Sequence, residues 1–166
     1  HATDFVAKTG DNMTGTLNLP NLQLPATTAS TGIIYQGSNR LIHTYGVANF
    51  FAGADAGNFT MTGGFNTACG ELALAFNTSG YDNTASGHSA LNQNTAGIDN
   101  TANGSNALYS NTSGNFNTAS GFAALFRNTT GVNNTASGSQ ALLSNTSGYD
   151  NTASGASAFF SNSTGY

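Results

Sequence analysis

Few side chains in this sequence are equipped for chemistry, and their spacing limits what they can do. The 166 residues contain one Glu, six Asp and three His. Asp82, Asp99 and Asp150 fall in one register, the first two 17 residues apart. In a stacked chain they would form a line of carboxylates able to hold a hard cation. Phe116 breaks that line, and the Gly-Gly-x-Gly-x-Asp nonapeptide of calcium-binding β-rolls is missing, so no metal site is assigned. His88 comes one period after Glu71, which suits a weak, solvated cross-rung pair. Arg40 and His43 read as a surface or interface pair. Cys69 stands alone where most periods carry Ser, and a lone Cys leaves no intrachain disulfide. No nucleophile elbow, zinc helix, phosphate loop or EF-hand word is present. Catalysis needs titratable groups that converge; here they are scattered, so neither enzymatic activity nor a cofactor is expected.

Contact chemistry has better material. Two registers vary within an otherwise fixed frame. One carries Tyr81, Ile98, Asn115, Val132, Tyr149 and Tyr166; the other carries Ala75, Asn92, Tyr109, Phe126, Leu143 and Phe160. Tyr81, Tyr109, Phe126 and Tyr149 are the candidate surface contacts, with rings suited to stacking on sugars or to packing between subunits.

What must position these residues is a repeat. Asn66, Asn83, Asn100, Asn117, Asn134 and Asn151 each open an "NT-A-G" or "NTA-G"-like word, every 17 residues without a slip. A second word, "NTSG" or a near variant, begins at Asn77, Asn94, Asn111, Asn128, Asn145 and Asn162 with the same period. One period earlier lies a worn copy, with Asn49, Gly53, Ala56 and Gly63 in place and Thr60 where the second Asn belongs. A fixed period of this size marks stacked supersecondary units. Two Gly and two Asn-Thr pairs per unit disfavour helix and favour turns. The runs "TAS" and "xxAL" are each expected to be short strands. The predicted fold is therefore all-β: a parallel β-solenoid, or β-roll, of 17-residue coils, with seven repeats over 49–166, the first degenerate, and a small non-repetitive β cap or connector over 1–48. Taking the "NT-A-G" Asn as position 1, the Asn at positions 1 and 12 should form ladders up the rod.

Each coil offers only one Leu and two Ala for burial: Leu74, Leu91, Leu108, Leu125 and Leu142 at position 9, with Phe159 in the last unit, and Ala at positions 3 and 8. These are the expected core or interface residues. Ordering a whole coil around so small a core points to partner chains, so a homo-oligomer, a homotrimeric rod, is expected. In the cap, "TLNLPNLQL" alternates Leu17, Leu19, Leu22 and Leu24 around Pro20, as an edge segment does. "GIIYQGSNRLIHTYG" predicts a hairpin around Gly37-Ser38-Asn39, placed to seal the edge of the first coil.

Charged residues make up 6% of the chain and the net charge is -4, with only Lys8, Arg40 and Arg127 basic. That leaves no footprint for phosphate backbones, so nucleic acid is excluded. No apolar run approaches the ~20 residues of a bilayer span, and no charged-then-apolar signal opens the chain.

Two stretches carry a family likeness. Gly10 to Pro20, "GDNMTGTLNLP", resembles a short motif of phage tail fibres in which "GD-MTG-L" recurs. Asn49 to Leu74, "NFFAGADAGNFTMTGGFNTACGELAL", and the NTASG-x-x-AL units after it are similar to the repeat region of phage and bacterial tail-fibre-like proteins. More loosely, the repeats resemble the β-roll heads of trimeric autotransporter adhesins. Those repeats are shorter and carry a larger aliphatic residue where Ser86, Ser120, Ser137 and Ser154 stand here. The resemblance implies a trimeric fibre, extracellular or on a virion, serving attachment to a cell-surface glycan or receptor. Such fibres often end in an endosialidase-type intramolecular chaperone, so the likeness implies a mature product or an excised piece. Two other functions are weighed beside the fibre. Thr67, Thr84, Thr101, Thr118, Thr135 and Thr152 make an unbroken Thr line, as an ice-binding solenoid would. A polysaccharide-active tailspike would need a carboxylate pair in a groove.

Overall fold

The computed structural model describes residues 25–28 and 31–166. The "GD-MTG-L" word and the Leu17–Leu24 segment lie outside the described residues. Among those described there is no helix, and nine strands form one sheet in chain order. The strands are β1 (Ile34–Gln36), β2 (Asn39–His43), β3 (Phe50–Ala52), β4 (Thr67–Cys69), β5 (Thr84–Ser86), β6 (Thr101–Asn103), β7 (Thr118–Ser120), β8 (Thr135–Ser137) and β9 (Thr152–Ser154). From β3 to β9 every pairing is parallel and in register, Thr over Thr and Ala over Ala from β4 onward, at a separation of 17 residues. The chain is a parallel β-solenoid with one coil per repeat.

The first three strands are antiparallel. β1 and β2 form the expected hairpin, turning at Gly37 and Ser38. β2 then pairs with β3, Ile42 opposite Ala52 and His43 opposite Phe51, and so covers the edge that the first coil would otherwise leave bare.

From β4 onward each coil turns its Ala at position 3 inward between an exposed Thr at position 2 and an exposed residue at position 4, usually Ser. This is the alternation of a strand buried on one face. Opposite it, Ala at position 8 and Leu at position 9 are both buried, and with the position-3 Ala they form one continuous core from Phe51 to Ala153. Leu74, Leu91, Leu108, Leu125 and Leu142 are fully buried.

The "xxAL" run is not a strand. Two adjacent residues of a strand point to opposite faces, so consecutive buried Ala and Leu need another backbone. The chain supplies it with left-handed residues at positions 7 and 9, among them Asn106 at φ 59° and Leu108 at φ 51°. Its amides still bond between coils: Asn106 N–H donates to His88 O at 2.9 Å in the coil before, and Leu108 N–H to Ala124 O at 3.0 Å in the coil after. Phe159 also departs from expectation. It takes the same left-handed conformation but is 63% exposed, because no described coil lies over it. Leu108→Ala, in a fully lined column, should cost about 2–5 kcal/mol of stability, read from the urea midpoint; an unchanged midpoint would mean that the column is not the core.

Candidate functional site

The interior of the rod is organised by two columns of amides. At position 1, the Oδ1 of Asn83 accepts from both the backbone N–H (3.1 Å) and the Nδ2 (3.1 Å) of Asn100, and Asn100 Oδ1 does the same for Asn117 at 3.0 and 3.1 Å. The column runs from Asn49 through Asn66, Asn83, Asn100, Asn117 and Asn134 to Asn151. At position 12, Asn94 Nδ2 donates to Asn77 Oδ1 at 2.9 Å, and the series continues through Asn111, Asn128 and Asn145 to Asn162.

The columns meet in every complete rung. Gly114 O accepts from Asn100 Nδ2 at 2.8 Å and from Asn111 Nδ2 at 2.9 Å, and Gly80, Gly97, Gly131 and Gly148 are clamped alike. One carbonyl at position 15 thus ties both ladders together and closes the coil on itself. The amide dipoles point the same way in each column, which strengthens successive bonds. No buried side-chain nitrogen or oxygen among the described residues lacks a partner. Thr60, in the worn first coil, interrupts the second column; there Asn58 Nδ2 donates to Ala75 O at 3.0 Å and to Asn77 O at 2.6 Å.

The two Thr lines differ in their chemistry. At position 13 the hydroxyls are consumed by the rod: Thr95 Oγ1 donates to Thr112 O at 2.9 Å, and Thr112 Oγ1 to Thr129 O at 3.0 Å. At position 2, Thr67, Thr84, Thr101, Thr118, Thr135 and Thr152 are exposed, and their hydroxyls make no hydrogen bond to protein among the described residues. With position 4, which carries Ser except at Cys69 and Asn103, they form a mostly hydroxyl-bearing lattice of about 4.8 Å between strands by about 6.7 Å along them.

The aromatic candidates divide. Tyr81 and Tyr149 are exposed, and Tyr149 stacks on Tyr166 with centroids 5.4 Å apart. Tyr109 and Phe126 are half-buried and stack on each other at 5.2 Å, nearly parallel. Sequence reasoning missed Phe76, at position 11, and Phe122, at position 6, as exposed rings, because its contact candidates come from positions 10 and 16 alone. The described residues enclose no pocket.

The titratable residues do not come together. Asp82, Asp99 and Asp150 lie along the edge, exposed, and Asn133 Nδ2 donates to Asp150 Oδ1 at 3.0 Å. No group of three His, Cys, Asp or Glu clusters among the described residues. Glu71 and His88 are both exposed and form no ion pair. Of the expected surface or interface pair, Arg40 pairs with Asp55 at 3.0 Å, while His43 is buried against Ala56 of the first coil.

No family model, no curated protein and no solved structure matches this chain. The class is therefore set by the fold itself, a repeat β-solenoid with paired asparagine ladders.

Proposed function

We propose that the chain is a rigid segment of an adhesive fibre, working without catalysis. The observation that carries this reading is the in-register hand-over of hydrogen bonds from coil to coil. A unit that satisfies its polar interior by stacking on a copy of itself extends a rod by about 4.8 Å per repeat. Seven rungs make about 30 Å on that spacing. The motif and repeat likeness to tail-fibre-like proteins supports a homotrimer displayed outside the cell or on a virion. The narrow core of Ala and Leu supports partner chains as well. Exposed Tyr81 and Tyr149 are the residues proposed to meet a cell-surface glycan or receptor. Light scattering tests the assembly: the expected mass is about three times the 16.8 kDa chain, and a mass of one chain at micromolar concentration contradicts it. A glycan array then tests adhesion, with binding expected to fall at least about tenfold in Tyr81→Ala and Tyr149→Ala, the loss of one stacked ring apiece.

The open hydroxyl lattice at positions 2 and 4 favours a second reading, an ice-binding surface that orders water against the strand face. It predicts thermal hysteresis that Thr101→Lys abolishes while the fold is kept. A concentrated solution without hysteresis dismisses it.

A further inference from the structure

The junction between the hairpin and the first coil closes over one histidine. His43, on β2, is 2% exposed. Its Nε2 lies 2.8 Å from Ala56 O, and its Nδ1 is 3.4 Å from the Tyr45 backbone nitrogen. A neutral ring carrying its proton on Nε2 satisfies both, donating to Ala56 O and accepting from Tyr45 N–H. Phe51 of β3 and Phe59 of the first coil flank the imidazole, each centroid 4.8 Å away.

The charged and titratable groups around this site, among the described residues, are three. Arg40 of β2 lies 4.7 Å over the Phe59 ring and pairs with Asp55 of the first coil. The Tyr45 ring meets Phe59 edge-on at 5.1 Å. Asp55 is thus engaged with Arg40, and no carboxylate among the described residues pairs with His43. A second imidazole proton would sit on Nδ1, facing the Tyr45 N–H donor, and would add a cation close to Arg40. Burial lowers the pKa of His43 below its ordinary 6.5, and the Arg40 charge lowers it further against the opposing effect of the Ala56 hydrogen bond.

We propose that His43 is an acid-sensitive latch: protonating its ring releases the β1–β2 hairpin from the first coil and uncovers the backbone edge of β3. The hairpin is held there by the pairing of Ile42 with Ala52 and of His43 with Phe51, and by Gly53 N–H donating to Leu41 O at 2.8 Å. Among the described residues the rest of the rod has nothing comparable, because its buried polar side chains are Asn and one Ser, which do not titrate, and His88 is exposed. Among the described residues, the buried group that acid titrates therefore lies in the cap. The direction follows from linkage. The released hairpin binds the proton with an ordinary pKa of about 6.5, and the latched one binds it less well. Closure is fully favoured above that pKa. Below it, the closed-to-open ratio falls by up to about tenfold per pH unit until the latched ring itself protonates.

Amide exchange on the unmodified chain tests this, with protection factors corrected for intrinsic rates. Between about pH 7.5 and about pH 5, either side of the free imidazole pKa, Gly53 should lose protection, by up to about thirtyfold. Thr118, whose N–H donates to Asn134 O at 2.8 Å, should lose none. In His43→Gln the Gly53 response should vanish. If that variant is already open at neutral pH, the NMR titration of the His43 ring in the unmodified chain decides: ring protonation that coincides with the loss of Gly53 protection supports the latch. A ring that titrates while Gly53 stays protected overturns it, as does protection that is flat with pH or falls equally in a closed His43→Gln.

Discussion

Asn100→Ala is expected to lower the stability of the rod by about 2–6 kcal/mol, because two buried donors lose their acceptor at about 1–3 kcal/mol each. Those donors are the backbone N–H and the Nδ2 of Asn117, both held by Asn100 Oδ1. Gly114 O also loses one of its two donors and keeps Asn111. Asn100→Asp should rescue little of this. Its carboxylate restores an acceptor for Asn117 but faces Asn83 Oδ1 and Gly114 O, two acceptors that Asn100 Nδ2 now supplies. The neighbouring Thr101→Ala, on the exposed face, should shift stability by less than about 0.5 kcal/mol. Urea unfolding followed by circular dichroism reads all three. Equal midpoints for the Asn100 and Thr101 variants would show that the ladder contributes nothing.

Gly104→Ala is expected to cost about 2–6 kcal/mol, the sum of backbone strain at about 1–3 kcal/mol and overpacking at about 1–3 kcal/mol. Gly104 has φ +138°, and a Cβ there would stand 2.5 Å from Gly121 O in the next coil. Gly155 occupies the same register with φ +119°, yet a Cβ there meets nothing within 4 Å. Gly155→Ala therefore carries the strain alone, at about 1–3 kcal/mol. The difference between the two variants isolates the close approach of coils. Matching losses in both would mean that conformation, and not stacking, keeps glycine at this position.

The stack was legible in the sequence because its period never slips. Asn83, Asn100 and Asn117 stand 17 apart, and only a structure with one coil per period can bring them into contact. The inward Ala of "TAS" followed from strand alternation for the same reason. The "AL" run was misread as a strand because Leu has no preference for a left-handed backbone, so its φ near 50° at Leu91, Leu108 and Leu142 left no mark in residue type. Two adjacent apolar residues at every repeat were the available signal, since a strand would have exposed one of them. The two Thr lines looked alike on paper. Only the geometry separates position 13, where the hydroxyl bonds the next coil, from position 2, where it faces outward. At the junction the hairpin over the first coil was legible, but the contacts of His43 were not. Its partners, Ala56, Phe51 and Phe59, come from the first, degenerate coil, where no repeated neighbour reveals which side chains meet.

The stacking of identical asparagines one period apart is tested most directly by NMR, through scalar couplings transmitted across side-chain hydrogen bonds. The ladders predict a correlation from the Nδ2 of Asn100 to the side-chain carbonyl of Asn83, and from Asn111 to Asn94, with the same offset of 17 along both columns. Correlations at another separation, or freely exchanging amides with no correlation, contradict the in-register rod.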